Sequence, residues 1–375
     1  MTNGGKDVKR RGRKLFSALR RQDDPEPTPP PSETEPEAPP AVSLPPVDHE
    51  SDGGGPPIEP VAPEPAAPED LPQPAESARH PRGASAPEAT DEEPVELPGA
   101  VPDPPAGLPD PDGRPVELPV VLAVANQKGG VGKTTTAVNL GAALAEEGFR
   151  VLVVDLDPQG NATTGLGINH RDIDRSIYDV IMNDTPMEDC VEASTLKNLF
   201  VVPATIDLAG AEIELVPAFS RELKLRRAVE GVKDDYDFTL VDCPPSLGLL
   251  TVNGLAAADD VMVPIQCEYY ALEGLGQLLR NVALVRSNLN PTLDVRGIVL
   301  TMYDARTKLA DQVEQEVRSH FGRRVYRTVV PRTVRLSEAP SFGQPIIVFD
   351  PTSRGAVAYR ELAKEVSRGA TRRSG

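Results

Sequence analysis

The stretch that decides the fold is Val120-Val121-Leu122-Ala123-Val124-Ala125-Asn126-Gln127-Lys128-Gly129-Gly130-Val131-Gly132-Lys133-Thr134-Thr135. It begins with an apolar run typical of a buried strand and ends in a glycine-rich turn that leads into a helix. Closely spaced glycines allow successive backbone N–H groups to point at phosphate oxygens, and the first turn of the helix adds partial positive charge. The stretch therefore predicts a phosphate-binding loop, or P-loop, for an ATP-like ligand.

The polar residues of this loop have expected roles. Spacing places Lys133 on the β- and γ-phosphates, gives Mg²⁺ the hydroxyl of Thr134 and brings Thr135 to the α-phosphate side. The common pattern G-x-x-x-x-G-K-[ST] requires a glycine at position 127, where this chain has Gln127 followed by Lys128. The loop is thus a variant with an extra lysine. The predicted nucleotide-binding residues are Lys128, Gly129, Gly130, Val131, Gly132, Lys133, Thr134 and Thr135.

Apolar strand-like runs alternate with amphipathic helix-like runs downstream of the loop. The clearest strands are 120–125, 151–154, 199–202, 238–241, 261–265 and 298–300. This alternation predicts an α/β fold with a doubly wound, mostly parallel sheet, helices on both faces and a ligand at the carboxyl ends of the strands.

Two of the predicted strands end in carboxylates. The strand over 151–154 runs into Asp155 and Asp157, and the strand over 238–241 runs into Asp242. An apolar strand ending in aspartate is typical of a Walker B site, where the carboxylate holds Mg²⁺ directly or through water; a helix cap is the alternative. Asp157, just before a proline, is expected to be more exposed than Asp155 and to orient the attacking water, while Asp155 supports the Mg²⁺ shell or the local fold. The predicted Mg²⁺ residues are Thr134, Asp157 and Asp242.

Composition divides the 375 residues into three parts. Residues 1–21 hold eight basic residues and one acidic residue. Residues 22–119 hold 29 of the 41 prolines and 23 acidic residues against three basic ones, so they have too little apolar surface to offset the entropy of ordering. We predict a disordered, extended acidic linker there, and a folded P-loop domain over 120–375. Most of the net charge of −18 therefore lies outside the folded part.

The basic arm at 1–21 has an amphipathic pattern. Leu15, Phe16 and Leu19 are spaced to share one face of a short helix, between several lysines and arginines. Such a helix could bind DNA, an acidic membrane surface, a partner protein or the acidic linker, and a solvated tail is the alternative. The partner of the arm is unknown.

The cysteines and the hydropathy argue against disulfide-stabilised, metal-cluster and membrane-spanning proteins. Cys190, Cys243 and Cys267 are odd in number and widely spaced, which argues against a disulfide framework and against a zinc or iron–sulfur site. No apolar run approaches the roughly 20 residues of a spanning helix, and the basic N-terminus lacks an apolar signal core. We therefore expect a cytoplasmic protein without integral membrane association.

The motifs together closely resemble the ParA/Soj family of chromosome-partitioning ATPases. The residues that carry the resemblance are Lys128-Gly129-Gly130-Val131-Gly132-Lys133-Thr134-Thr135, Asp155-Leu156-Asp157-Pro158-Gln159-Gly160-Asn161-Ala162-Thr163 and Val241-Asp242-Cys243-Pro244-Pro245-Ser246. Segments 268–274 and 334–341 look like the same family, and the likeness spans about 120–368.

The resemblance implies a P-loop ATPase that uses ATP and Mg²⁺, hydrolyses ATP slowly and forms an ATP-dependent sandwich homodimer. The implied dimer binds double-stranded DNA without sequence preference, on the nucleoid, until a ParB-like centromere-binding partner stimulates hydrolysis and releases it. The same likeness implies catalytic roles for Lys128, Lys133 and Asp157. The likeness implies that Lys128 touches the partner protomer's phosphates, with a solvated surface lysine as the alternative, and that Asp242 is the Walker B carboxylate. Because the charge of Lys128 has little to pair with otherwise, its contact with the partner would couple nucleotide state to association.

The DNA binding implied by the resemblance is expected in the basic C-terminal part, since residues 286–375 hold 16 basic and nine acidic residues. Arginine contacts to phosphate need no base readout and weaken steeply with salt. A single surface arginine is more often a solvated or ion-paired group, so the cluster is better supported than any one member. The predicted DNA-binding residues are Arg306, Arg323, Arg324, Arg327, Arg332 and Arg335, with Arg306 and Arg335 the strongest. The family often has lysine and asparagine where this chain has Gln344 and Thr333, which removes one potential phosphate contact.

Two other functions compete with partitioning. A MinD-like cell-division ATPase would act at a membrane through a C-terminal amphipathic helix, but residues 365–375 lack the large apolar side chains of such an anchor. A nucleotide-gated interaction scaffold would need no catalysis, and the complete set of Lys133, Thr134, Asp157 and Asp242 argues against an inert pocket.

Overall fold

The computed structural model describes residues 116–268 and 271–372. The predicted basic arm over 1–21 and nearly all of the predicted linker lie outside the described residues. The strands are β1 (Glu117–Leu118), β2 (Val120–Val124), β3 (Val151–Asp155), β4 (Glu192–Ala193), β5 (Leu199–Val202), β6 (Phe238–Asp242), β7 (Asp260–Gln266), β8 (Asp294–Tyr303), β9 (Val325–Pro331) and β10 (Thr371–Arg372).

Helices connect most of these strands. They are α1 (Lys133–Glu146), α2 (Asn161–Gly165), α3 (Ile177–Met182), α4 (Leu208–Glu214), α5 (Lys224–Glu230), α6 (Leu249–Ala257), α7 (Ala271–Asn288), α8 (Lys308–Phe321), α9 (Val334–Glu338), α10 (Ile346–Phe349) and α11 (Arg354–Val366). None of the helices within the described ranges is both long and apolar enough to cross a membrane.

Eight strands form the central sheet in the order β4-β5-β3-β6-β2-β7-β8-β9. Pairing is parallel from β5 to β9, and β4 is antiparallel to β5 at one edge. This confirms the predicted doubly wound α/β fold. Parallel strands need crossover helices that cover the sheet, so the central strands are buried on both faces and their sequences are continuously apolar.

The two faces of the sheet carry separate hydrophobic layers. Along β2, Val121 and Ala123 pack into one layer while Val120 and Leu122 pack into the other, as the two-residue period of a strand requires. Helices α3 to α8 contribute to the first layer, and α1, α10 and α11 contribute to the second. Every predicted strand is present, and β3 and β6 each extend one residue further to include Asp155 and Asp242.

The folded part begins earlier than the predicted boundary at residue 120. Val116 and Leu118 are buried, and β1 pairs in parallel with β10 near the other end of the chain. Average composition assigned these residues to the linker because prolines and acidic residues surround them. Burial against a distant segment outweighs that local bias, since the apolar surface it removes from water is not visible in a composition window.

A buried amide is one of the links between the P-loop helix and the C-terminal segment. The Asn139 side chain donates to the Thr135 carbonyl at 2.7 Å and accepts from the Ile346 N–H at 2.6 Å. The two bonds join α1 to α10 across 207 positions of the chain. The position of α1, and so of the P-loop before it, therefore depends in part on this residue.

Replacing Asn139 by alanine is expected to lower the free energy of unfolding by about 1–3 kcal/mol, because the buried Ile346 N–H loses its acceptor. Urea unfolding of the full chain measures the change. The exposed Asn288, replaced by alanine, is the control and should change stability by less than about 0.5 kcal/mol. Equal effects of the two substitutions would contradict the role of Asn139.

Candidate nucleotide-binding site

The P-loop follows β2 and leads into α1 at the carboxyl edge of the sheet. Gly130 and Gly132 have φ angles of 75° and 85°, a left-handed conformation that glycine adopts without strain. The Thr301 hydroxyl, at the end of β8, lies 2.8 Å from the Val131 carbonyl and 3.0 Å from the Ile265 carbonyl. Thr301 therefore fixes the loop against β7 and β8, a role that no feature of the local sequence indicated.

Lys133 is buried at the start of α1, and its ammonium group donates to the Lys128 carbonyl at 3.2 Å. Burial lowers the pKa of Lys133, whereas the nearby carboxylates of Asp242 and Asp157 oppose that shift. A buried ammonium bonded to its own loop gains from any additional anionic partner. A nucleotide phosphate is such a partner, so Lys133 is suited to the predicted phosphate contact.

Lys128 is already paired, contrary to the expectation that its charge has little to pair with outside a dimer. Its backbone N–H donates to the Asn126 side chain at 3.0 Å, and its ammonium group lies 3.2 Å from Glu268. The Gln266 amide donates to the other oxygen of Glu268. The pair was missed because Glu268 is 140 positions away and reaches the loop only through the pairing of β7 with β2.

The three aspartates of the site lie at the ends of β3 and β6, where Asp155 is the register partner of Asp242. Asp155 accepts from the Thr163 hydroxyl at 2.6 Å and from the Thr163 N–H at 2.8 Å. It also accepts from the Asp157 N–H at 3.3 Å. These bonds satisfy Asp155, so it supports the loop fold, one of the two roles left open for it.

Asp242 differs from Asp155 because neither of its buried carboxylate oxygens has a hydrogen-bond partner of good geometry. Burial raises the pKa of Asp242 well above its usual range, the charge of Asp155 raises it further, and the Thr134 hydroxyl and Lys133 lower it. Burial also raises the pKa of Asp155 to about 6, although its bonds to Thr163 counter the shift. A buried carboxylate without a bonded partner is costly in the free protein and is available to a ligand.

Of the two aspartates at the carboxyl end of β3, Asp157 is the more exposed, as expected. Both are nevertheless buried, with exposed fractions of 7% for Asp157 and 0% for Asp155. Its carboxylate accepts from the Gln159 N–H at 3.0 Å, and its carbonyl accepts from the Gly160 N–H at 2.9 Å. A turn thus holds Asp157 beside the P-loop. The charge of Asp157 acts on both Lys133 and Asp242, which places the three groups in one electrostatic cluster.

The donor set fits Mg²⁺ only together with a nucleotide. Within 116–268 and 271–372 there is no group of three or more His, Cys, Asp or Glu side chains that could hold a metal by itself. Mg²⁺ commonly binds through one or two carboxylates, waters and substrate phosphates. The two orphaned oxygens of Asp242 and the Thr134 hydroxyl beside it are such donors, whereas the inclusion of Asp157 among the metal residues stays a prediction.

The six predicted DNA-binding arginines do not form one cluster. Arg306 and Arg332 lie after β8 and β9, at the edge that carries the P-loop, and Arg335 follows on α9. Arg323 and Arg324 precede β9, and Arg327 is in its first half. A seven-residue strand is about 20 Å long, so the two groups lie toward opposite ends of β9.

The two strongest candidates are exposed but engaged with carboxylates. Arg306 makes two bonds to Asp304, at 2.8 and 2.7 Å, and these bonds lower the pKa of Asp304 to about 2. Arg335 lies 3.1 Å from Glu338 and 3.4 Å from Asp350. Exposed pairs of this kind contribute little to stability, so a nucleic-acid phosphate can replace the carboxylate at small cost.

Several known proteins are similar to this chain in sequence. Residues 120–295 match a family model described as an AAA domain. The sporulation initiation inhibitor protein Soj of Bacillus subtilis is 61% identical over 247 residues, which cover 66% of this chain and 98% of Soj. The chromosome partitioning protein ParA of Myxococcus xanthus is 52% identical over 254 residues, or 68% of this chain and 90% of that protein.

A solved structure with bound nucleotide is also similar. The crystal structure of cobyrinic acid a,c-diamide synthase from Mycobacterium smegmatis with bound ADP and magnesium has 43% sequence identity and a TM-score of 0.58. The match covers 65% of this chain and 92% of that one. The resemblance drawn from the motifs is therefore supported both by whole-domain sequence identity and by fold.

The substitution Asp242→Asn is expected to stabilise the nucleotide-free protein while weakening Mg²⁺-dependent ATP binding. It replaces a buried carboxyl group whose charged form is costly and whose oxygens lack a hydrogen-bond partner of good geometry, so the free energy of unfolding should rise by about 1 kcal/mol. It also removes a donor of the predicted metal shell, which should weaken binding roughly 10–100-fold. Urea unfolding without nucleotide and ATP titration with and without Mg²⁺ measure the two effects.

Asp260→Asn is the matched control, because that buried carboxylate is paired with Arg296 at 3.1 Å. It should lower the free energy of unfolding by about 1–3 kcal/mol and leave ATP binding unchanged, since a partly buried guanidinium loses its partner. A loss of stability in Asp242→Asn as large as in this control would contradict the assignment.

Proposed function

The chain belongs to the ParA/Soj family of chromosome-partitioning ATPases, and we propose that it is an ATP-gated switch whose ATP-bound homodimer holds DNA non-specifically. It is a P-loop ATP hydrolase, and ATP with Mg²⁺ is its ligand pair. The single observation that carries the proposal is the meeting of the P-loop, Asp157 and the unbonded Asp242 at one edge of the sheet. Mg²⁺ would neutralise phosphate charge there.

In the proposed cycle, ATP binding drives two protomers together with their P-loops face to face. The dimer binds double-stranded DNA on the nucleoid, and a ParB-like centromere-binding partner stimulates hydrolysis, after which the protomers separate and leave the DNA. Such a cycle uses ATP to time attachment, as switches that order loops around a γ-phosphate do. Slow intrinsic hydrolysis would give the dimer its lifetime on DNA.

Lys128 would join nucleotide binding to dimerisation. In the free protomer its ammonium group is paired with Glu268, and in the proposed dimer it would move to the partner's phosphates. Both side chains are partly exposed, so the pair contributes at most about 1 kcal/mol to the free protomer. A triphosphate carries more negative charge than one carboxylate, which favours the exchange once a partner is present.

Asp157 would act on the water that attacks the γ-phosphate. Its turn holds the carboxylate beside Lys133, and the neighbouring Asp155 is occupied by Thr163. Of the two carboxylates at the end of β3, only Asp157 therefore has capacity to orient a water molecule. Asp242 keeps its oxygens for the metal shell in this division of roles.

Replacing Lys128 by alanine should leave ATP binding by the protomer within about twofold of wild type, because Lys133 supplies the phosphate contact within the protomer. ATP-dependent dimerisation should be lost. Sedimentation velocity with a non-hydrolysable ATP analogue measures it, with Lys364→Ala as the control because that exposed lysine also pairs with a carboxylate, Glu361 at 2.8 Å. Unchanged dimerisation would count against the role in the partner's site.

Replacing Asp157 by alanine should lower ATP turnover by at least about 100-fold, because the attacking water loses its orienting carboxylate. ATP binding and dimerisation should persist, so the protein should stay on DNA after ATP is removed from solution. Phosphate release and DNA dissociation measure the two outcomes, with the exposed Asp189→Ala as the control. Normal turnover or normal release in Asp157→Ala would refute the assignment.

The double substitution Arg306→Glu with Arg335→Glu should abolish DNA retention without affecting dimerisation, because two phosphate contacts become repulsive. DNA cosedimentation with the ATP analogue over a range of salt concentrations measures binding. The control is Arg175→Glu with Arg226→Glu, which reverses the charge of two other partly exposed, ion-paired arginines. Retention by the first variant would move the contact surface to Arg323, Arg324 and Arg327.

A further inference from the structure

A histidine that neither the sequence motifs nor the proposed function uses lies against the turn that carries Asp157. The turn ends at Gly160, whose N–H donates to the Asp157 carbonyl at 2.9 Å. Gly160 has a φ angle of 62°, and a Cβ added to it would collide with the ring of His170. The imidazole of His170 therefore covers the backbone of the turn directly.

A chain of hydrogen bonds joins this ring to the same turn. Thr164, in α2, donates its hydroxyl proton to the Gly160 carbonyl at 3.1 Å, and its oxygen lies 2.9 Å from His170 Nε2. Because a hydroxyl has only one proton, the Thr164 oxygen accepts from His170, and we assign the ring proton to Nε2. His170 thus holds Thr164, Thr164 holds the Gly160 carbonyl, and the Gly160 N–H holds Asp157.

The end of β5 closes the opposite side of Gly160. The Ala204 carbonyl oxygen would lie 3.4 Å from a Cβ added to Gly160, and the Ala204 N–H donates to the Thr163 hydroxyl at 3.0 Å. Ala204 and Thr163 are buried, whereas His170 and Thr164 are exposed. The exposed pair is therefore the side of the turn that can move without unpacking the core.

The backbone that carries His170 is held by its own contacts. Asn169 accepts from the Arg171 N–H at 3.2 Å and donates to Asp172 at 2.9 Å, which closes a short helical turn that begins at His170. Leu166, just before this segment, is buried in the second hydrophobic layer. The ring is thus presented to Gly160 from a defined position.

We propose that His170 is a positioning residue for ATP hydrolysis. Its ring keeps the turn in the conformation in which the Asp157 carboxylate orients the attacking water. The inference rests on the proposed function, which assigns that role to Asp157. A hydrolytic group that is held loosely has the productive geometry for only part of the time, which lowers kcat. The proposal gives His170 no contact with the nucleotide, so the affinity for ATP should not depend on it.

Replacing His170 by alanine should lower kcat for ATP hydrolysis about 3–10-fold and leave KM within about twofold, because one exposed hydrogen bond makes a small contribution. His170→Gln should restore most of the rate, since the glutamine amide can donate to Thr164 as Nε2 does. Phosphate release over a range of ATP concentrations measures both constants. The control is His320→Ala, whose ring packs on Phe321 in α8 and whose loss should leave kcat unchanged.

Hydrogen exchange of the nucleotide-free chain tests the turn without catalysis. In His170→Ala, exchange should rise about 3–10-fold in the peptide that covers residues 158–165 and stay unchanged in α8. Thr164→Val removes the hydroxyl between His170 and Gly160, and it serves if the alanine variant misfolds. It should lower kcat to the same extent as His170→Ala, and the double variant should lose no more, because both changes break one chain of bonds.

Wild-type kcat in either His170→Ala or Thr164→Val, or an equal loss in His170→Gln and His170→Ala, would overturn the inference and leave the proposed function standing. Exchange that rises throughout the chain would also overturn it, because a general loss of stability would then explain the slower turnover. If Asp157→Ala keeps normal turnover, the proposed role of Asp157 and this inference fail together.

Discussion

The parallel pairing of β2 with β6 and β7 is the constraint on which the site depends. It places Val124 beside Asp242 and Met262, so the P-loop, the Walker B aspartate and the end of β7 leave the sheet at the same edge. The pairing of β6 with β3 adds Asp155 and the turn that carries Asp157. Parallel strands all present their carboxyl ends on one side, and three distant segments of the chain therefore form one nucleotide site.

The site is built with more buried charge than the free protein can satisfy. Asp155 is bonded to Thr163, but Asp242 has no such bonds, and the buried ammonium of Lys133 reaches only a carbonyl of its own loop. Desolvation accordingly shifts the pKa of Lys133 down and that of Asp242 up, both toward the neutral form. A nucleotide with a metal ion supplies the missing charges, so part of the binding free energy comes from relieving a cost already present.

The ion pairs at the surface differ from the buried charges of the nucleotide site, because each of their charged groups already has a partner of opposite charge. Lys128, Arg306 and Arg335 each have a carboxylate partner in the free protomer, and each pair is at least partly exposed to water. Such pairs keep cationic groups in defined positions and contribute little to stability, so a phosphate can replace the carboxylate. The buried apolar layers hold the fold, and the exchangeable pairs lie on the surfaces proposed to meet a partner protomer and DNA.

The sequence by itself determined the fold class, the P-loop, the strands that end in aspartate and the resemblance to the ParA/Soj family. These features are encoded locally, in hydrophobic period, glycine spacing and the residue that follows each strand. Only the tertiary structure decided that Glu268 holds Lys128, that Thr301 supports the P-loop, and that Asp155 is satisfied while Asp242 is not. It also decided that the six arginines divide between the ends of β9, and that Val116 and Leu118 belong to the folded part. Each of these facts depends on contacts between residues far apart in the chain, and distance along the sequence does not determine such contacts until strand order and register bring the residues together.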